Sequence, residues 1–115
     1  MEANEARIQQ NAFLRIWNDF PQSRGCLFHI ANERASGSAR EGAMLKGMGV
    51  IAGVPDLCLV WKGSVYWFEV KTATGVLSKA QKTLHQNWSE QGIIVKVLRS
   101  EEEIYRSVSE IFLTK

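Results

Sequence analysis

The sequence predicts an α/β domain with a mixed central sheet flanked by helices, in the order helix, strand, hairpin, helix, strand, helix. Three observations carry that prediction. Apolar residues recur at three-to-four spacing near both ends of the chain, two strand-like runs flank a short glycine turn in the middle, and a nearly continuous apolar run lies between two helical segments. At 115 residues, 45% of them apolar, the chain is expected to be one domain over residues 1–115, able to bury roughly two-thirds of its unfolded surface around a single core.

Each element has its own signal. Ile8, Ala12, Phe13, Ile16, Trp17 and Phe20 mark an amphipathic helix that Pro21 stops. Gly25–Ala31 is short, apolar and β-compatible, a strand. Asn32 to Gly53 is polar and glycine-rich, predicting a long loop with a helical turn near Ala39–Leu45; loops of this length are often functional. Leu57–Trp61 and Val65–Lys71 around Lys62-Gly63-Ser64 form a hairpin. Ser78 opens a helix carrying Leu84 and Trp88 on one face and ending near Gly92. Ile93–Leu98 reads as a strand buried on both faces. Ser100 and Glu103 make a capping box ahead of Ile104, Val108, Ile111 and Phe112, a closing amphipathic helix.

Several function classes drop out. The apolar runs are far shorter than the roughly 20 residues of a membrane helix, and the N-terminal residues lack the order of a secretory signal, so a cytoplasmic, membrane-free protein is expected. Cys26 and Cys58 have no CxxC spacing, and His29 and His85 have no HExxH or zinc-finger spacing, which argues against a Cys/His zinc site. Both histidines read as ordinary structural residues. The glycines from Gly47 to Gly53 lack dinucleotide-loop spacing, and Pro55 stands where a helix should begin.

The chemistry concentrates on the hairpin. With a two-residue turn at Lys62-Gly63, paired positions sum to 125, and Asp56 falls opposite Glu69. Cross-strand partners have Cβ atoms about 4.5–5.5 Å apart, where two carboxylates repel. A divalent cation between them removes the conflict. Lys71, two residues beyond Glu69, projects from the same face, while Val70 turns into the core. Two hard oxygen donors suit Mg²⁺ or Mn²⁺, which retain waters able to attack a phosphodiester. An ammonium alongside can orient such a water or neutralise charge on the phosphate.

Gly53-Val54-Pro55-Asp56, then Phe68-Glu69-Val70-Lys71, then Leu77-Ser78-Lys79-Ala80-Gln81 resemble the PD-(D/E)XK nuclease pattern, and more narrowly the VRR-NUC family. The likeness extends to Lys46-Gly47-Met48-Gly49, to Asn32, and to Glu5-Ala6-Arg7-Ile8-Gln9, covering residues from about 5 to about 100. It implies a restriction-endonuclease-like fold and DNA hydrolysis with Mg²⁺ or Mn²⁺. Asp56 and Glu69 would be metal ligands with the Val70 backbone carbonyl as a third, Lys71 the catalytic lysine, and Gln81 a neighbour on the next helix. Glu5 would add a metal- or water-contacting carboxylate. Gln81 keeps a second reading as the partner of Ser78 in a capping box, and Glu5 a second reading as a first-turn acid favoured by the helix dipole.

Short stand-alone members of that family are viral or bacterial and resemble homodimeric resolvases of four-way DNA junctions. The resemblance therefore implies a homodimer acting on branched DNA. A monomeric flap, nicking or restriction-like nuclease, and a non-cleaving DNA-binding module, remain alternatives.

Charge distribution agrees with a polyanionic partner. The net charge is only +2, but from Phe20 to Lys82 eight basic residues face four acids, Glu33, Glu41, Asp56 and Glu69. From Ser100 onward four acids outnumber Arg106 and Lys115. Arg34, Arg40, Lys46, Lys79 and Lys82 are the expected phosphate contacts.

Overall fold

The computed structural model describes residues 3–31 and 38–114. The apolar stripe at the N-terminus forms helix α1 (Ala3–Asp19), and Pro21 opens a single 3₁₀ turn, Pro21–Ser23, that leads into strand β1 (Leu27–His29). Helix α2 (Ala39–Gly47) follows, then strands β2 (Leu57–Trp61) and β3 (Ser64–Val70), helix α3 (Lys79–Glu90), strand β4 (Val95–Leu98) and helix α4 (Glu101–Leu113). The strands lie in the order β1-β2-β3-β4, antiparallel except for the parallel β3–β4 pair. This is the expected mixed sheet with flanking helices, and α3 makes the crossover that a parallel pair requires.

The hairpin has the predicted register, with Trp61 opposite Ser64 and Leu57 opposite Phe68. Lys62 and Gly63 both adopt positive φ, 48° and 81°, as a two-residue type I′ connection demands. Alternation along the strands then assigns the two faces. Leu57, Leu59, Phe68, Val70 and Leu98 meet Ala12 and Ile16 of α1 and Ile104, Val108 and Phe112 of α4, forming the core. Cys58, Trp67 and Glu69 belong to the other face, where Trp88 of α3 packs edge-on against Trp67 with ring centroids 5.0 Å apart.

Three expectations are corrected. The segment read as a loop with one helical turn contains a nine-residue helix, capped by Ser38, whose Oγ accepts from Glu41 N at 3.1 Å. None of its residues is fully buried, so it lacks the apolar stripe that reveals a helix in sequence. The strand predicted over Ile93–Leu98 begins only at Val95. Ile93 and Ile94 are 42% and 69% exposed, because the chain leaves α3 through Gly92 at φ +87° and is still turning there. Strand β4 is also not buried on both faces, since Lys96 is exposed while Leu98 is buried. Finally, Glu103 does not close the capping box with Ser100. Ser100 Oγ accepts from Glu103 N at 3.0 Å, but Glu103 Oε1 accepts from the preceding residue, Arg99 N, at 3.2 Å.

Candidate active site

The approach to Asp56 is fixed before the strand begins. Gly53 has φ +90°, and a Cβ there would lie 2.5 Å from the Ala80 carbonyl oxygen, so only glycine permits the close contact with the start of α3. Pro55 is buried and fixes its own φ just before Asp56. The Asp56 carbonyl accepts from Ile30 N at 2.9 Å and lies 2.8 Å from His29 Nδ1. Its side chain reaches across to β3, where Oδ2 accepts from Val70 N at 2.8 Å.

One step beyond the Leu57–Phe68 pair, Glu69 stands on the same face as Asp56. It is completely buried, and its two oxygens differ. Oε1 lies 3.1 Å from His85 Nε2, whereas Oε2 is buried with no hydrogen-bond partner. Burial, and the Asp56 carboxyl beside it, push the Glu69 pKa up to about 9, against the opposing pull of Lys71. Without a cation Glu69 therefore holds a proton at neutral pH. Burial is the chief reason for that proton, and the predicted repulsion between the two acids adds to it.

Lys71 leaves β3 with its amide donating to the Leu98 carbonyl at 2.9 Å, which extends the parallel pairing by one residue. Its side chain is only 10% exposed, and Nζ lies 4.0 Å from Oε2 of the equally buried Glu5. The first-helix acid thus joins the group from the other end of the chain. The turn after Lys71 is tied to the sheet by Arg99, whose guanidinium nitrogen donates to both Thr72 O at 2.9 Å and Gly75 O at 2.6 Å. Gly75 backs onto Glu5, with a Cβ there falling 3.6 Å from Oε2 and 2.9 Å from Thr72 Oγ1.

The helix over this face is anchored by a complete capping box. Ser78 Oγ accepts from Gln81 N at 3.1 Å, and Gln81 Oε1 accepts from Ser78 N at 2.8 Å. Gln81 N lies 3.0 Å from where a Cβ on Gly53 would stand, and its amide oxygen is engaged in the cap. His85, one turn later on the same helix face, is the residue in contact with Glu69. Reading His85 as an ordinary structural residue missed its contact with the Glu69 carboxyl, whereas His29 meets Asp56 at the backbone carbonyl. The i, i+4 spacing from Gln81 to His85 is the sequence signal that points to His85. Burial and the Lys71 charge lower the His85 pKa, keeping the ring neutral at neutral pH. Among the basic residues, Arg40 and Lys46 on α2 and Lys79 and Lys82 on α3 are exposed. Arg34, and Asn32 with it, lies outside the described residues.

Among the described residues no three or more His, Cys, Asp and Glu side chains are arranged as a ready cluster for a metal ion. The donor set still suits a hard cation that keeps much of its water. Two carboxylates meet, and one of their oxygens is buried without any partner.

A mixed sheet whose hairpin juxtaposes Asp56, Glu69 and Lys71 beneath a covering helix has the architecture of a PD-(D/E)XK nuclease. The VRR-NUC domain family matches residues 9–102, and the chain belongs to that family. Among solved structures, a VRR_NUC domain protein matches with a TM-score of 0.72 and 19% identity over 96% of this chain and 88% of the other. No curated protein matches the sequence. The chain is therefore a nuclease domain of the PD-(D/E)XK type, with DNA as its substrate. No helix among the described residues is long and apolar enough to cross a membrane.

Proposed function

We propose that residues 1–115 form one metal-dependent endonuclease domain that works as a homodimer on branched DNA, with the four-way junction as its preferred substrate. The observation that carries the reading is the buried, unpartnered Glu69 oxygen beside Asp56. An isolated acid in that position is costly to keep, and a cation compensates it.

Asp56 and Glu69, with the Val70 carbonyl, would hold Mg²⁺ or Mn²⁺. When bound, the cation supplies charge to the scissile phosphate and a water acidic enough to attack it. Lys71 stands two residues from Glu69 with its ammonium held by Glu5. It neutralises charge developing on the phosphate oxygens and orients the attacking water. Glu5 orients the ammonium and accepts a hydrogen bond from water entering beside it. Gln81 acts through the cap that sets the start of α3, with its free amide NH₂ available to the substrate backbone. Arg40, Lys46, Lys79 and Lys82 bind flanking phosphates. Gly53 against Ala80 ties the linker after α2 to the start of α3, which supports a single basic face made from both helices.

Resolving a junction takes two symmetric incisions, and this chain has one such site. A twofold dimer supplies both, and exposed Val65, Ile93 and Ile94 give such a pair apolar surface to bury. The test is cleavage of labelled four-way, flap and linear duplexes in Mg²⁺ and in Mn²⁺, with solution mass measured on the same sample. Preferential paired nicking of the four-way substrate by a species of twice the chain mass is expected. Equal cleavage of all three substrates overturns the junction specificity, a monomer overturns the dimer, and binding without cleavage in either metal leaves a DNA-binding module.

A further inference from the structure

Glu69 carries a longer inference, which rests on its proposed role as a metal ligand. A glutamate reaches its carboxylate through rotatable bonds, and a roughly twofold terminal torsion makes its two oxygens interchangeable unless something distinguishes them. Here something does. Oε1 has His85 Nε2 at 3.1 Å, and Oε2 has nothing. Asp56 is divided in a comparable way, since its Oδ2 accepts from Val70 N. Each acid thus has one oxygen engaged by the protein.

The contact is well placed to act. His85 sits on a helix whose start is pinned by the Ser78–Gln81 capping box and by the Gly53–Ala80 approach. Its side chain is 14% exposed, so water competes little for the Glu69 oxygen. Trp88, on the same face three residues on, fixes the helix over the sheet through Trp67.

We propose that His85 is a positioning residue of the nuclease site. Its Nε2–H donates to Glu69 Oε1, fixes the plane of the carboxylate, and reserves Oε2 for the cation shared with Asp56. Partners of this kind behind metal-bound carboxylates change metal affinity by about 10–100-fold when removed. A histidine that merely packed beneath α3 would leave metal affinity untouched.

The experiment measures Mn²⁺ binding to the full chain without DNA, by the loss of the free-ion electron paramagnetic resonance signal. Wild type is compared with Glu69→Gln, His85→Ala and His85→Gln, and the fold of each is checked by circular dichroism. The expected result is about tenfold or greater weakening in His85→Ala and recovery to within about threefold in His85→Gln, whose amide can still donate. Wild-type affinity in His85→Ala, or equal loss in both His85 variants, overturns the inference. Retained Mn²⁺ binding in Glu69→Gln overturns the ligand reading instead, so the two failures are distinguishable. Should His85→Ala not fold, ring ¹⁵N spectra of the wild-type protein decide the matter. A protonated Nε2 whose shift moves in Glu69→Gln is expected, and a ring protonated only at Nδ1 overturns the proposal.

Discussion

The two ends of the β2–β3 hairpin share one ladder and one pairing geometry, yet they are built for opposite purposes. At the turn, Lys62 and Gly63 take the left-handed conformations the connection needs, and Trp61 packs edge-on to Phe112 with centroids 4.9 Å apart. Five residues back along β2, the strand starts just after an acid that faces a second, fully buried acid, with a lysine alongside. The first end contributes stability. The second consumes it, because two carboxylates and an ammonium removed from water are favourable only when mutually compensated. Leu57, Leu59, Phe68 and Val70 between them hold the unfavourable end in register.

That contrast is broken most severely at the charged end. Lys71→Ala and Asp56→Asn are expected to lower single-turnover DNA cleavage by the folded fraction by about 10³-fold, the scale for removing a charge-stabilising group from an active site. Leu59→Ala should do the reverse, costing about 3 kcal/mol in urea denaturation with cleavage by the folded fraction retained.

Glu69→Gln sharpens the comparison further, since it should abolish cleavage and stabilise the metal-free fold. Folded Glu69 keeps its proton up to about 9, whereas its ordinary value is 4.5. Between those values the native state binds a proton that the unfolded chain has released, so stability falls as pH rises through that window. The gain from Glu69→Gln should accordingly be small at pH 5 and much larger by pH 8 in chelator. Urea titrations at the two pH values check it, and a pH-independent difference contradicts it.

Gly53→Ala sits between the two ends in effect. Its strain at φ +90° and its clash with Ala80 should cost about 1–2 kcal/mol, and should lower cleavage by displacing Asp56 relative to α3. Ser100→Ala is the mildest change. It removes one helix cap far from the acids and should cost about 1 kcal/mol with no loss of cleavage rate.

Local features were legible in the sequence. The hairpin register followed from a two-residue turn, and the register put Asp56 with Glu69. Both Ser78 and Ser100 announced helices through their side-chain chemistry. What escaped the sequence depends on tertiary placement. Helix α2 buries no residue fully, so no periodic stripe announces it. Ile93 and Ile94 satisfy a strand's composition but precede the point where the chain pairs. His85 acquires its partner only because α3 crosses the Glu69 face, and Arg99 its two carbonyls only because β4 lies parallel to β3. A lone arginine between β4 and α4 gives no sign of its contacts, and for His85 only the helical spacing from Gln81 hints at one.

Arg99 also has a consequence for synthesis. The hairpin is local in sequence and can pair soon after it is made. The lysine turn, by contrast, is secured by a residue near the end of the chain and by Glu5 near its beginning. A nascent chain that has emerged only as far as α3 holds both acids but lacks the clamp on the loop behind Lys71. Assembly of the loop behind Lys71 thereby waits on the emergence of Arg99, and a product truncated before that residue lacks the clamp.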